Sequence, residues 1–129
     1  MYGWINMLLK MLKSKLHRAR VTEVRLHYPG SIFIDGALMK KAGILPYENV
    51  LIADLNNGSR VETYALPAPA NSGKIIILGA AANLIKKNHI VIIFSFAYCT
   101  PSEAKKLKPK VILLDAQNKI IKKNKWKIL

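Results

Sequence analysis

Short apolar runs separated by turn-forming residues are the feature that most limits what this chain can fold into. Their lengths, and the alternation of apolar with polar residues in several of them, are typical of β-strands rather than of helices. The Asn57-Gly58 pair between two such runs is a strong signal for a β-hairpin. The expected strands cover residues 21–26, 32–34, 50–55, 61–66, 74–78, 89–97 and 111–114, with a final hairpin strand at 120–121.

Helical segments are few and short. Residues 36–42 can form two turns of helix, a further turn can begin at Ala80, and Thr100-Pro101-Ser102-Glu103 is a capping box that predicts a helix to about residue 107. The runs at 74–78 and 89–97 are almost continuously apolar and are expected to be buried on both faces. Together these signals predict one domain over residues 1–129, mainly β, folded as a small closed β-barrel with a few short helices.

The charge of the chain is large and unevenly distributed. The 129 residues carry a formal net charge of +14, which attracts anions such as nucleic acid, lipid headgroups or acidic metabolites. Nine of the 21 basic residues lie from Lys105 onward, and residues from about 119 to 129 are expected to form a solvated basic tail. The longest apolar stretch, residues 90–97, is far too short to cross a membrane, so no membrane association is expected.

Reactive side chains are sparse. The single cysteine, Cys99, excludes an internal disulfide, fits a reducing and therefore cytoplasmic location, and is expected to be a packed thiol. The three histidines have no metal-ligand spacing, so no metal site is expected. The segment Tyr28-Pro29-Gly30-Ser31 predicts a type II turn with a positive φ at Gly30. Ser31 is then either an ordinary turn residue or part of a reactive Gly30–Ser31 peptide bond.

Four short motifs occur in order over most of the chain and resemble the pyruvoyl-dependent aspartate α-decarboxylase family, which makes β-alanine for pantothenate. The motifs are Lys15-Leu16-His17-Arg18, the segment YPGSIFID at 28–35, the segment NGSRVETY at 57–64, and Gly79-Ala80-Ala81-Ala82. The resemblance spans residues 7 to about 115 and implies a double-psi β-barrel. It also implies a homotetramer with sites between neighbouring subunits.

The resemblance implies that the proenzyme cuts itself at Gly30–Ser31 into chains 1–30 and 31–129. The Ser31 hydroxyl would attack the Gly30 carbonyl, and Ser31 would end as a covalent pyruvoyl group that accepts electrons as CO₂ leaves L-aspartate. His17 and Thr63 would assist cleavage, and Tyr64 would return a proton to the substrate. The residues implied in substrate binding are Lys15, Arg60, Thr63, Gly79, Ala80 and Ala81.

Some positions depart from the family pattern. Leu78 stands where the family commonly has asparagine, and Pro29 stiffens the segment before the scissile bond. Residues 1–6 precede the usual start of the family, which makes Met7 a candidate initiator. Whether cleavage is spontaneous or needs a maturation factor stays open, and the basic tail lies outside the resemblance.

Two other functions stay open from the residues. A relative that folds but does not turn over is one, because Leu78 removes an amide from the pocket. A basic barrel that binds nucleic acid is the other, although only four arginines occur and they are not interleaved with aromatic residues, so nucleic acid is the less favoured partner.

Overall fold

The computed structural model describes residues 7–121, so the expectations for residues 1–6 and for the tail from 122 onward lie outside the described residues. Eight strands, two α-helices and one 3₁₀ helix make up this part of the chain. The strands are β1 (Leu9–Arg20), β2 (Glu23–Arg25), β3 (Ser31–Asp35), β4 (Asn49–Asp54), β5 (Arg60–Ala68), β6 (Ile75–Leu78), β7 (Ile90–Cys99) and β8 (Lys110–Leu113). The helices are α1 (Gly36–Ala42), the 3₁₀ helix (Gly79–Asn83) and α2 (Pro101–Lys106). The expected mainly β class with a few short helices is confirmed.

The longest strand, β1, was not among the expected strands. Lys10, Lys13 and Lys15 interrupt the apolar pattern of this segment, and the register shifts twice along its pairing with β7, between Leu12 and Ser14 and between Leu16 and Ala19. Because each irregularity resets which residues face the core, no simple alternation is visible in the sequence. Tertiary pairing on both sides, with β7 and with β8, makes this segment a strand.

The eight strands form one sheet in the order β2-β6-β3-β5-β4-β7-β1-β8. The hairpin expected at Asn57-Gly58 is confirmed, because β4 and β5 pair antiparallel on either side of it. Three neighbouring pairs are parallel, namely β1 with β8, β2 with β6, and β3 with β5. These parallel pairs place residues that are far apart in the chain next to each other, which no local pattern predicts.

Asn118 joins the two ends of the sheet order, β2-β6 and β1-β8. Its side-chain Nδ2 donates to the carbonyl oxygens of Arg20 (2.9 Å) and Gly73 (2.8 Å), and its Oδ1 accepts the backbone N–H of Arg20 (2.7 Å). The side chain is fully buried, so these bonds satisfy polar groups that would otherwise be costly to bury. The sheet therefore curls around a core of aliphatic side chains, among them Leu16, Ile32, Ile34, Val50, Ile52, Ile75, Ile77, Val91 and Ile93.

The apolar runs in β6 and β7 are not buried on both faces, contrary to expectation. Their residues alternate between buried and half-buried, so only one face of each strand packs in the core. The other face, which we call the outer face of the sheet, carries the half-buried side chains of Ile76, Leu78, Ile92 and Phe94. A single chain thus leaves apolar surface on the outside of these strands.

Candidate active site

Ser31 begins β3, between two neighbouring strands. On one side it pairs with Leu78 at the end of β6, and on the other Ile32 pairs with Ala65 of β5. That parallel register places Tyr64, the residue before Ala65, beside Ser31. Ser31 is only 4% exposed, although it lies at the start of its strand. The structure therefore brings together Ser31, Tyr64 and the start of the 3₁₀ helix that follows Leu78.

Gly79 lies directly against the Gly30 backbone. It has a φ of 81°, and a Cβ added to it would meet the Gly30 Cα at 2.6 Å, the Gly30 N at 2.9 Å and the Tyr28 carbonyl oxygen at 3.0 Å. A side chain has no room there, and the positive φ is itself a conformation that glycine adopts most easily. The absent side chain of Gly79 is what lets the two segments touch.

The type II turn expected at residues 28–31 is wrong. Gly30 does not have a positive φ, and the turn in this region lies earlier, at Leu26 and His27. The packing of Gly79 against residues 28–30 accounts for the difference, because a neighbouring segment rather than a local turn hydrogen bond shapes the chain here. The position in this region whose backbone conformation requires a glycine is therefore 79, not 30.

Ser31, Tyr64 and Arg60 share the outer face of the sheet. Ile32 and Ala65 are fully buried in the core, so the residues next to them in β3 and β5 point the other way. Arg60 is exposed and lies four residues before Tyr64, on the same face, whereas Thr63 lies on the opposite face and is half-buried. The parallel register thus places Tyr64 beside Ser31, whereas Arg60 lies on the same face but four residues away along β5, and Thr63 points away from both.

A cavity of about 290 Å³ lies on this outer face, and one of its walls is Leu78, which pairs with Ser31 in the sheet. Its walls are Arg25, Tyr28, Phe33, Ile76 and Leu78. Arg25 lies over the Tyr28 ring, 5.3 Å from its centroid, and pairs with Glu23. Phe33, Ile76 and Leu78 make the lining mostly apolar, and its polar side chains are the guanidinium of Arg25 and the phenol of Tyr28.

Lys15 and His17 lie on β1, and β5, β4 and β7 separate that strand from β3 in the sheet order. Both are half-buried and alternate with the core residues Ser14 and Leu16, so they too belong to the outer face. Burial lowers the pKa of His17, and the neighbouring charges of Lys15 and Arg18 lower it further. One chain therefore does not bring Lys15 and His17 to Ser31.

Gly79, Ala80 and Ala81, which the resemblance implies in substrate binding, lie in the 3₁₀ helix after β6. Gly79 is buried at the start of the 3₁₀ helix, Ala80 is exposed, and Ala81 packs against the core.

Two side-chain contacts hold the β4–β5 hairpin in place. The Asn57 side chain donates to the Leu84 carbonyl oxygen (2.8 Å), and His89 Nδ1 lies 2.6 Å from Asp54 Oδ2. These two contacts fasten the β4–β5 hairpin, which leads into Arg60, to the segment that begins with Gly79.

Sequence reasoning did not single out Tyr47. Its ring stacks on that of Tyr64, with centroids 5.9 Å apart and an angle of 23° between the planes. Tyr47 also has a φ of 70°, which is rare for a residue with a large side chain. No periodic pattern in the sequence marks this residue, because it lies in the irregular segment between α1 and β4.

Within residues 7–121, no group of three or more histidine, cysteine, aspartate or glutamate side chains is arranged to hold a metal ion. No helix in the same range has both the length and the apolar character needed to cross a membrane.

Comparison with known proteins identifies the family. The model of the aspartate decarboxylase family matches residues 7–121. The chain belongs to the aspartate decarboxylase family. It is 54% identical over 110 residues to an aspartate 1-decarboxylase of Moorella thermoacetica, covering 85% of this chain and 86% of that protein.

Other members of the family are similar to the same extent. An aspartate 1-decarboxylase of Carboxydothermus hydrogenoformans is 49% identical over 90% of this chain and 91% of its own length. One from Lactiplantibacillus plantarum is 48% identical over 93% of this chain and 92% of its own. Among solved structures, the rationally designed mkDPBB_sym1 protein aligns with 66% of this chain and 96% of its own, with a TM-score of 0.44 and 18% identity. The resemblance inferred from the four motifs is thus confirmed at the level of the family.

Proposed function

We propose that this chain is an aspartate 1-decarboxylase that converts L-aspartate to β-alanine and CO₂ in pantothenate biosynthesis, with a pyruvoyl group formed from Ser31. The observation that carries the proposal is the packing of Gly79 against Gly30, with Tyr64 beside Ser31, in a member of this family. A Cβ at position 79 would collide with the Cα and N of Gly30, the residue directly before the Gly30–Ser31 bond. Close packing at Gly30 keeps the residue before the scissile bond in a fixed position, which favours the rearrangement of that bond.

Self-cleavage uses atoms of this chain and water. The Ser31 Oγ attacks the Gly30 carbonyl carbon, the C–N bond breaks, and an ester with a free Ser31 amine results. Elimination then releases the Gly30 carboxylate and leaves a dehydroalanine at position 31, and water replaces its nitrogen, which leaves as ammonia. The products are chain 1–30 and chain 31–129 with a pyruvoyl terminus. Once formed, that group supplies an electron sink for decarboxylation.

Arg60 and Tyr64 have separate roles at this site. The exposed Arg60 guanidinium binds a substrate carboxylate, an interaction worth about 1.5–3 kcal/mol when a charged group is hydrogen-bonded. The Tyr64 hydroxyl returns a proton to the substrate carbon after CO₂ leaves. Thr63 faces away from Ser31 in one chain, so its assignment to cleavage and substrate binding rests on the family motif alone.

Lys15 and His17 complete the site from a neighbouring copy in a homotetramer. They lie on the same outer face as Ser31 but on a distant strand, and the apolar outer faces of β6 and β7 are half-exposed in one chain. Packing copies against these faces would bury apolar surface and bring Lys15 of one copy towards Ser31 of another. Lys15 then supplies a second cation for the dicarboxylate substrate.

The test is the intact mass of freshly purified protein under denaturing conditions, with and without phenylhydrazine. We expect two fragments, 1–30 and 31–129, with the larger one forming the adduct, and release of CO₂ from L-aspartate. Ser31→Ala should stay as one species near 14.5 kDa and should release none. A wild-type chain that is cleaved but releases no CO₂ from L-aspartate would show that this protein is an inactive relative and not a decarboxylase. A wild-type chain that stays uncut, both freshly purified and after incubation with cell extract, would overturn the proposal.

A further inference from the structure

The segment between α1 and β4 holds an aromatic side chain against the proposed proton donor. Tyr47 stacks on Tyr64, and its ring separation of 5.9 Å lies within the range of favourable offset stacks. Two backbone hydrogen bonds join this segment to Ala65, the residue after Tyr64: the Tyr47 N–H donates to the Ala65 carbonyl (2.7 Å), and the Ala65 N–H donates to the Glu48 carbonyl (3.0 Å). The segment that carries Tyr47 is therefore held to β5 at the residue next to Tyr64.

The position of this segment is fixed by the side chain of Glu48. Lys13 Nζ donates to both Glu48 carboxylate oxygens (2.9 Å each) and to the Gly43 carbonyl (2.9 Å). The Glu48 carboxylate also accepts the Leu45 N–H (3.1 Å) and the hydroxyl of the buried Ser95. Burial acts to raise the pKa of Glu48, but the hydrogen bonds from Ser95 and Lys13 outweigh it and lower the pKa, so the carboxylate is charged at neutral pH. These contacts tie the segment to β1 and β7.

The backbone does not explain a tyrosine at position 47. Of the five residues other than glycine with a positive φ in the described chain, three are asparagines, which tolerate this conformation. A tyrosine has no such tolerance of a positive φ. Tyr47 is also 74% exposed, so packing of the core does not require a tyrosine at this position. What the side chain does contact is the Tyr64 ring, on the face of the sheet that carries Ser31.

We infer that Tyr47 is a positioning residue for the decarboxylation reaction, holding the Tyr64 phenol in the orientation from which it protonates the substrate. This inference rests on the proposed function. The stack restricts rotation of the Tyr64 ring about its side-chain bonds, and the Glu48 anchor keeps Tyr47 from moving with it. Strain at φ 70° is retained at a site where a glycine would be relaxed, which is expected where backbone strain serves a function.

The experiment compares Tyr47→Leu, Tyr47→Gly and Tyr47→Phe with wild type, and uses Tyr98→Leu as the matched control. Tyr98 is a 70% exposed tyrosine on β7 that has no place in the proposed site. Loss of the ring should lower kcat about three- to tenfold while KM and the cleaved fraction stay unchanged. Tyr47→Phe should restore wild-type kcat, and Tyr98→Leu should not change it. Tyr47→Gly should lose kcat without losing thermal stability, because the glycine relieves the backbone.

Two further measurements separate the alternatives. Light scattering reports the assembly, and dissociation of Tyr47→Leu would overturn the inference in favour of an interface role. Fluorine NMR of 3-fluorotyrosine protein, with the Tyr64 resonance assigned through Tyr64→Phe, reports the stack itself. That resonance should move in Tyr47→Leu but not in Tyr98→Leu.

Unchanged kcat in Tyr47→Leu would overturn the positioning role. A wild-type chain that is cleaved but releases no CO₂ would instead contradict the proposed function. In that case the fluorine spectrum would still show whether the Tyr47 ring stacks on Tyr64.

Discussion

At the scale of single residues, the absence of a side chain at Gly79 lets it pack against the backbone of Gly30, the residue before the proposed cleavage point. Gly79 is both buried and in the left-handed region, and its Cα faces the Gly30 backbone. Gly58 has nearly the same φ, 76°, but nothing lies within 4 Å of where its Cβ would be. The two glycines therefore share the same conformational demand and differ only in packing.

Gly79→Ala should be more harmful than Gly58→Ala. In both variants an alanine with a positive φ lowers the free energy of unfolding by about 1–2 kcal/mol. Only Gly79→Ala also forces a methyl group against backbone atoms, which lowers it by about 1–3 kcal/mol more. Urea unfolding should show this difference, and intact mass should show uncut chain accumulating in Gly79→Ala alone. Equal midpoints and equal cleavage in the two variants would contradict the role assigned to close packing.

At the scale of elements, Asp35 ties the start of α1 to the loop before β6. Its carboxylate accepts the N–H groups of Ala37 (2.9 Å), Asn71 (2.9 Å) and Gly73 (2.9 Å). The residue is the N-cap of α1 and directly follows the apolar part of β3. The start of α1 and the loop before β6 thus both depend on one carboxylate, at the end of the strand that Ser31 begins.

Asp35→Asn should lower the free energy of unfolding by about 1–3 kcal/mol at neutral pH, because an amide cannot accept all three bonds as a carboxylate does. Burial acts to raise the pKa of Asp35, but the backbone N–H groups outweigh it and hold the pKa below 3.8, its ordinary value. A group with a lowered folded pKa stabilises the protein above its unfolded pKa and loses that contribution as the pH falls through the folded value. Urea unfolding across pH should show the gap between wild type and variant closing below about pH 3.8. A gap that is constant with pH would contradict this.

At the scale of the whole molecule, the outer face of the sheet carries the proposed site and much half-buried apolar surface. Ser31, Tyr64, Arg60, Lys15 and His17 all face outward, on three strands that are not all neighbours. The core face, in contrast, is filled by aliphatic side chains. Chemistry on an outer face excludes water only when another surface covers it, which is the physical reason to expect assembly.

Coexpression of Ser31→Ala with Lys15→Ala should therefore restore activity that neither variant has alone. If each site takes position 31 from one copy and position 15 from another, random mixing gives about a quarter of the sites both an intact Ser31 and an intact Lys15. The measurement is CO₂ release from L-aspartate by the copurified mixture, with each variant expressed alone as the control. Activity no greater than that of the separate variants would place both residues in one subunit's site or remove Lys15 from it.

Local patterns predicted most of the elements, and the family motifs predicted the site residues. The Asn57-Gly58 hairpin and the capping box at Thr100 both formed as expected, because their hydrogen bonds join residues close in sequence. The strand β1 was missed, since its lysines and register shifts hide the alternation. The turn at Gly30 was wrong because Gly79, from another strand end, shapes that segment.

The sequence by itself determined the strands with clear alternation, the helix caps and the family, because each depends on residue types at short, fixed spacing. Only the tertiary structure decided that Gly79 touches Gly30, that Tyr47 stacks on Tyr64, and that Lys15 is distant from Ser31 within one chain. These neighbours depend on the order of strands in the sheet and on parallel pairing across long loops. Such pairings are selected by burial of the whole core rather than by any local run of residues.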